Sequence, residues 1–281
     1  MTNIIPTHRF ETPDPVRIPV RYDTLQVTNQ YDFSVAHRHG YFELFFFTKG
    51  GGKHLIDFKA FEVEDHSIHL VGPGQIHLLQ RVPDSYGAVI HFSTDLLEGM
   101  RSAIVHSPFL HNSTVPSVAL TEAEYTEMQW LLDRLQQESV RKPVHAELMK
   151  SYAVVIVLKY LQLMESRFPE LTGVVSDTFN DFRLLAEKEF VQHHAPAYYA
   201  EKLNITEGQL QKLCLKCTGH STADYLKRRM LLEAKRLLFN SSRSIKEIAY
   251  ELGFEDPSYF NRFFRKNTSH TPKEFREANG A

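Results

Sequence analysis

The stretch "SIKEIAYELGFEDPSYFNRFFRKNTSHTPKEFR", Ser244 to Arg276, decides how the rear of this 281-residue chain folds. It predicts two short helices joined by a tight turn at Gly253. Ser244 and Glu247 form a Ser-x-x-Glu capping box, and Asp256-Pro257 and Thr271-Pro272 each set an N-cap residue before a proline at the first helical position. Both helices spend their large apolar residues on one face. The other face of the second helix carries Ser258, Asn261, Arg262, Arg265 and Lys266, which a core does not need.

A second copy of the same unit lies upstream, in "AEKLNITEGQLQKLCLKCTGHSTADYL", Ala200 to Leu226. Ala200 matches Ala249, Leu203 matches Leu252 and Ile205 matches Phe254. After one extra residue in the second turn, Leu210 matches Phe260, Leu213 matches Phe263, Cys214 matches Phe264 and Tyr225 matches Phe275. The turns carry Asn204 and Gly253, the two residue types that best tolerate a left-handed backbone. Capping boxes recur at Thr206 with Gln209 and, in an acidic variant, at Ser221 with Asp224.

Two helix–turn–helix units predict a protein that reads double-stranded DNA, because the second helix of such a unit enters the major groove. In the second copy the outward residues are Pro257, Ser258, Asn261 and Arg262. Arginine pairs with guanine in bidentate fashion and asparagine with adenine. Arg265 and Lys266 lie further along, better placed for phosphates. In the first copy the outward set is Glu207, Gly208, Gln211 and Lys212, less basic and so expected to give less affinity or narrower specificity. A helix from about Thr222 to Phe239 joins the copies. Leu226, Met230, Ala234 and Leu237 form its apolar stripe, with Lys227, Arg228, Lys235 and Arg236 on the remaining surface. Its ~27 Å approach the ~34 Å between successive major-groove faces, so both readers can sit on one side of a duplex.

These residues resemble the AraC/XylS family of bacterial transcription regulators. The resemblance covers His194 to Arg276 and the leading helix near Phe179 to Val191, and its signature is "IAYELGFEDPSYFNRFFRKNTSHTPKEFR". The family pattern has Gly where Ser269 stands, so a slightly different helix exit is expected there, with Asn267 ending the helix. The resemblance also implies a front domain built as a cupin-like β-barrel that binds a small-molecule effector, and a partnership with the transcription machinery.

The front half agrees independently. Residues ~20–92 read as strands, among them "FELFFF" (Phe42 to Phe47), "SIHLV" (Ser67 to Val71), "IHLLQ" (Ile76 to Gln80) and "AVIHF" (Ala88 to Phe92). They are broken by Gly50-Gly51-Gly52, Gly72-Pro73-Gly74 and Pro83-Asp84. Such spacing predicts a sandwich or barrel. "HRHGYFELFFFTKG" is similar to the first cupin motif, and "GPGQIH" to part of the second. His37, His39 and Glu43 share strand parity. With His77 they make an effector-pocket set and a possible site for a divalent transition metal. Departures from the motif are Tyr31 in place of Gly, Arg81 in place of Asn and the displaced Pro73, so a metal-free polar pocket stands as the alternative. Tyr22, Phe33, Phe45 and Phe47 either line that pocket or fill the barrel.

From Thr121 the period becomes helical. Thr121 and Glu124 form a capping box, and a second helix from about His145 to Phe168 contains "YAVVIVLKYLQLM", apolar nearly all round. This pair is expected to pack on its own domain and to form a homodimer. The resulting division is a barrel at 1–120, a helical dimerisation segment at 121–168, a linker at 169–177 and an all-α tandem helix–turn–helix domain at 178–281. The fold class is α+β multidomain with a jelly-roll front.

Composition excludes other classes. The longest strongly apolar run, Ala153 to Leu158, falls far short of the ~20 residues a membrane span needs. "MTNIIPTHRF" shows no secretory signal, and two cysteines argue against a disulfide scaffold, so a cytoplasmic protein is expected. Cys214-x-x-Cys217 reads as core rather than a thiol pair, since Cys214 fills the slot of Phe264. Net charge is −2, but residues 1–176 hold 15 Lys+Arg against 20 Asp+Glu, and residues 177–281 hold 17 against 14. The basic excess thus falls where the DNA readers are. The reading is a DNA-binding regulator and not an enzyme. The rival is a metal-dependent cupin enzyme, an isomerase or dioxygenase, resting only on His37, His39, Glu43 and His77.

Overall fold

A computed structural model of the chain describes residues 7–8, 18–25, 36–97, 107–111, 117–169, 177–239 and 241–279. These fall into two compact units, one within Pro6–Leu171 and one within Thr172–Ala281. Residues 170–176, most of the expected linker, lie outside the described residues, as do Tyr31 and Phe33.

The front unit is a β-sandwich backed by helices. Its strands are β1 (Thr7–His8), β2 (Val20–Leu25), β3 (Arg38–His39), β4 (Phe42–Lys49), β5 (Gly52–Ile56), β6 (Lys59–Glu62), β7 (Ser67–Val71), β8 (His77–Arg81), β9 (Tyr86–Phe92) and β10 (Val118–Ala119). One sheet has the order β10-β7-β4-β9-β2 and the other β6-β5-β8; β1 pairs with β3. Phe42 through Phe47 are all buried because β4 is central and covered on both faces. Leu25, Phe45, Phe47, Val71 and Val89 meet Ile56 and Leu79 of the second sheet in the sandwich interior. On the opposite face, Phe42, Leu44, Phe46, Ile68 and Ile90 pack against two helices, α2 (Glu122–Ser139) and α3 (Ala146–Arg167); the short α1 (Pro108–His111) lies in the same cluster through Phe109 and Leu110. Tyr22 belongs to this helix-covered face, not to the interior: it alternates with Arg21 and Asp23 along β2, and successive side chains point to opposite faces.

Thr121 caps α2 with the reciprocal bonds expected of its box with Glu124. Helix α3 buries Met149, Ala153, Ile156, Val157, Tyr160, Leu161 and Met164 against the sheet and α2. Leu148, Val155 and Leu158 remain exposed along its outer side. The run that is apolar all round therefore has one face left over after its own domain is packed.

The rear unit is all helix: α4 (Asp177–Glu189), α5 (Pro196–Lys202), α6 (Glu207–Thr218), α7 (Thr222–Leu238), α8 (Ile245–Glu251), α9 (Pro257–Thr268) and α10 (Pro272–Asn279). Thr206, Ser221, Ser244 and Asp256 each accept the capping bond from the first turn of the helix that follows. The two copies build parallel cores. Ala200, Leu210, Cys214 and Leu226 pack with Phe179, Phe182 and Tyr199 of α4 and α5. Ala249, Phe260 and Phe264 pack with Met230, Ala234 and Leu237 of α7. Cys214 is thus core, as its alignment with Phe264 implies.

Asn204 (φ 54°) and Gly253 (φ 77°) hold the two turns in the left-handed region. The following N–H reaches back across each turn, Ile205 to the Ala200 carbonyl at 3.0 Å and Phe254 to that of Ala249 at 2.9 Å. At Gly253 an added Cβ would stand 2.1 Å from the carbonyl oxygen of Val191, so the turn rests directly on the chain leaving α4.

Two expectations need correction. Ser269 does not change the helix exit: α9 runs to Thr268, and Ser269 takes φ 65° and ψ 2°, against 72° and 4° for Gly219 after α6. The capping bond to the Arg265 carbonyl forces the same left-handed turn whatever residue stands there. Arg236 is not on the surface of the connector. It is 7% exposed and lies 3.5 Å from Glu233, because α7 turns that face toward the second copy's core. Glu233 also accepts from Arg229 at 2.9 Å; Arg229 bonds Glu187 of α4 at 2.7 Å and stacks on Phe190. The connector is pinned along its length and spans about 26 Å.

Candidate functional site

Two regions gather chemistry that neither core requires. The first is the outer surface of α6 and α9. Gly208, Gln211 and Lys212 are exposed on α6, and Ser258, Arg262, Arg265 and Lys266 on α9, while Pro257 and Asn261 are half-buried. The faces behind them are closed by Leu210 and Cys214 in one copy and Phe260 and Phe264 in the other. The Arg262 side chain is 70% exposed, with its guanidinium 3.8 Å from the carboxylate of Asp256. The Ser258 backbone N–H holds that Asp256 carboxyl below the usual carboxylate range. Tyr259, 57% exposed, lies beside Arg262 with its ring centroid 5.9 Å from the guanidinium. Sequence reading passed over Tyr259, although an aromatic residue at the outward position between Ser258 and Arg262 is a visible signal. Asn261 donates its amide to the Pro257 carbonyl at 3.0 Å, so one of its donors already serves its own helix.

The second region is the interior of the front sandwich. His37, His39, Glu43 and His77 come together there, each 2% exposed or less. The backbones of His37 and His77 form an antiparallel bridge with reciprocal bonds of 3.0 and 2.9 Å. This sets their rings side by side, with centroids 4.1 Å apart. Glu43 Oε2 lies 3.3 Å from His39 Nε2 and 3.4 Å from His77 Nε2. Donor atoms of His37, Glu43 and His77 all fall within 4.8 Å of one another. Phe45 and Phe47 share this interior, Phe45 against His54 and Phe47 against His69, both edge-on.

The cluster is larger than the sequence motif. His91 bridges two carboxylates, with Nδ1 3.0 Å from Glu43 Oε1 and Nε2 3.0 Å from Asp23 Oδ2. Burial favours its neutral form, but Asp23 and Glu43 outweigh that and raise its pKa. Burial likewise works against a charged Glu43, and His39, His91 and His77 overcome it, holding the carboxyl well below its ordinary range. His54 Nε2 lies 3.1 Å from His77 Nδ1, and the His54 ring stacks on that of His69 at 5.3 Å. Burial pushes His54 and His77 well below the usual imidazole range and takes His69 down to about 3. The available signal for these residues was parity: His69 and His91 stand at inward positions of "SIHLV" and "AVIHF". Arg81, at the position where the motif has Asn, serves the sandwich end instead, donating to the carbonyls of Leu25 and Ser85.

Comparison with known proteins covers both regions. Residues 25–150 match the family model described as an AraC-like ligand binding domain, and residues 199–278 match a helix-turn-helix domain. The HTH-type transcriptional activator RhaR of Cronobacter sakazakii is 25% identical, over 97% of this chain and 95% of its own. The uncharacterized HTH-type transcriptional regulator YfiF of Bacillus subtilis is 24% identical, over 96% and 86%. Among solved structures, the C-terminal domain of the two-component response regulator yesN from Fusobacterium nucleatum is 31% identical, with a TM-score of 0.34, covering 36% of this chain and 99% of that one. With an AraC-like, cupin-like ligand-binding domain in front and a helix–turn–helix domain behind, this chain is a transcription regulator of the AraC-like, two-domain type.

Proposed function

We propose that this regulator binds an asymmetric duplex site with both reading helices at once and that occupancy of the sandwich interior controls this binding. The observation that carries the reading is the division of α6 and α9: each has one face sealed in its own core and an outward face bearing Gly208, Gln211 and Lys212, or Ser258, Arg262, Arg265 and Lys266. Arg262 reads a base and Lys212, Arg265 and Lys266 hold phosphates. The effector prefers one arrangement of the front domain and shifts the protein toward its DNA-competent state by that difference in affinity. The protein works in the cytoplasm, contacts the transcription machinery and is a homodimer through the exposed Leu148, Val155 and Leu158 of α3.

An enzyme reading of the same histidines requires a substrate to reach them. The match of this domain to an AraC-like ligand binding domain, and the regulators among its relatives, favour a sensor over a turnover site. Among the described residues no helix is long and apolar enough to cross a membrane.

The test is selection of a binding site from random duplexes with the full chain, followed by gel shift across salt. Three phosphate contacts per protomer give a slope of about −2.7 in log K against log salt, or about 40-fold weaker binding from 50 to 200 mM. No enriched sequence, or a flat salt response, overturns the proposal.

A further inference from the structure

We propose that the effector is a divalent first-row transition-metal ion, held in the sandwich interior by Glu43, His37, His39 and His77. This rests on the reading of the front domain as a sensor and adds what it senses.

Distance is the first ground. Ligand atoms bonded at ~2.0–2.1 Å around a tetrahedral ion stand about 3.3–3.4 Å from one another. Glu43 Oε2 stands 3.3 Å from His39 Nε2 and 3.4 Å from His77 Nε2. A charge-assisted hydrogen bond would be about 2.7–2.9 Å long. These contacts lack hydrogen-bond geometry as well as length. Donor atoms of His37, Glu43 and His77 gather within 4.8 Å of one another, and His39 Nε2 stands beside them at 3.3 Å from Glu43.

Orientation is the second ground. Each of these three groups has its remaining polar atom tied to another residue. His39 Nδ1 lies 2.7 Å from the Tyr41 carbonyl. A carbonyl only accepts, so Nδ1 carries a proton and Nε2 is the ring atom turned toward Glu43. His77 Nδ1 is held by His54 at 3.1 Å. Glu43 Oε1 forms an ion pair with His91 Nδ1, and His91 Nε2 another with Asp23, each at 3.0 Å. Such outer partners are what orient the ligands of a metal. The backbone bridge that sets His37 beside His77 supplies the fourth donor.

Space is the third. Glu43 and His54 are 0% exposed, His39 and His77 1% and His37 2%. Donors this closely gathered and this deeply buried suit an ion, which needs only the point where they converge. Imidazole with carboxylate suits Zn, Ni, Fe or Mn.

The experiment uses the full-length chain, stripped with chelator and titrated calorimetrically with zinc, nickel, manganese and anaerobic ferrous ion. One ion per chain is expected for at least one of them. Glu43→Gln should weaken binding more than 100-fold and Asp23→Asn by about 10–100-fold. His66→Gln, at the surface beside Glu122, should leave it unchanged. His39→Asn, whose amide can still bond the Tyr41 carbonyl, guards against a variant that merely fails to fold; its apo melting temperature should match wild type while the metal-induced rise disappears. The selected duplex is then bound by apo and loaded protein, and a change of at least 5-fold in affinity is expected. The proposal is overturned if none of the four ions binds, if binding survives Glu43→Gln or His39→Asn, or if loaded and apo protein bind the duplex equally. Failure of both forms to bind any duplex would instead refute the regulator reading and leave the ion site standing on its calorimetry.

Discussion

Replacing Ser269 with glycine should stabilise the rear unit. Ser269 holds φ 65°, a conformation that costs an L-residue about 1–2 kcal/mol relative to glycine. Glycine returns part of that by loosening the unfolded chain, about 0.4–1 kcal/mol. The net expectation for Ser269→Gly is a gain of ~0.5–1 kcal/mol, or a rise of about 2–6 °C in the melting temperature of a unit this size. The mirror change, Gly219→Ser in the first copy, should cost a similar amount, since nothing within 4 Å of that position blocks a Cβ. The assay is scanning calorimetry of the full chain, with the rear transition identified by its upward shift on adding duplex DNA. Equal melting temperatures for Ser269→Gly and wild type, with Gly219→Ser also silent, would refute the claim that the helix exit forces a left-handed residue.

Gly253→Ala should be far more damaging than either, because the new Cβ meets a backbone carbonyl at 2.1 Å; a loss above about 3 kcal/mol is expected in the same calorimetry. Arg262→Ala should cost about 1–3 kcal/mol on the selected duplex and relax one base preference, while Lys266→Ala should weaken all sequences alike and reduce the salt slope by about 0.9 in gel shifts. Equal losses for Arg262→Ala on selected and random DNA would reassign it to phosphate. His69 has a folded pKa of about 3 against an ordinary 6.5, so the unfolded chain takes up its proton first. The metal-free front unit should therefore be at full strength above pH 6.5 and lose about 1.4 kcal/mol from this residue per pH unit below that. Urea midpoints at pH 7.5 and 5.5 measure the loss, and His69→Phe should remove this residue's share while His54 and His77, also held well below the usual imidazole range, keep the rest. Val155→Glu in α3 should leave the fold intact and yield a monomer in sedimentation; a wild-type chain already monomeric at micromolar concentration would remove the dimer.

Much of the rear unit was legible because its signals are local. Capping boxes, prolines at first helical positions and the turn residues Asn204 and Gly253 each fix a boundary through bonds within a few residues, and the duplication states the pattern twice. Arg236 and Ser269 were misread for the opposite reason. Which side of α7 meets the second core, and whether a cap bond overrides the preference of one residue, depend on packing that spacing does not carry. In the front unit, alternation put His37, His39 and Glu43 on one face. It could not say that β4 is covered on both faces, so Tyr22 was assigned inward and His54, His69 and His91 were passed over as strand residues. Asp23 was invisible as a partner because its link to Glu43 runs through His91, some seventy positions away in the chain.

The pinned connector has a consequence for the DNA. Arg229, gripped by Glu187 and Glu233 and stacked on Phe190, leaves the strut between the two reading helices without a hinge. Adding one base pair between the two boxes of an operator would swing one of them by about 34–36° around the duplex axis and slide it ~3.4 Å along that axis. Target promoters should accordingly tolerate substitutions in the intervening bases yet lose recognition with any single insertion or deletion there, so that phase, more than wording, marks the genes under this regulator's control.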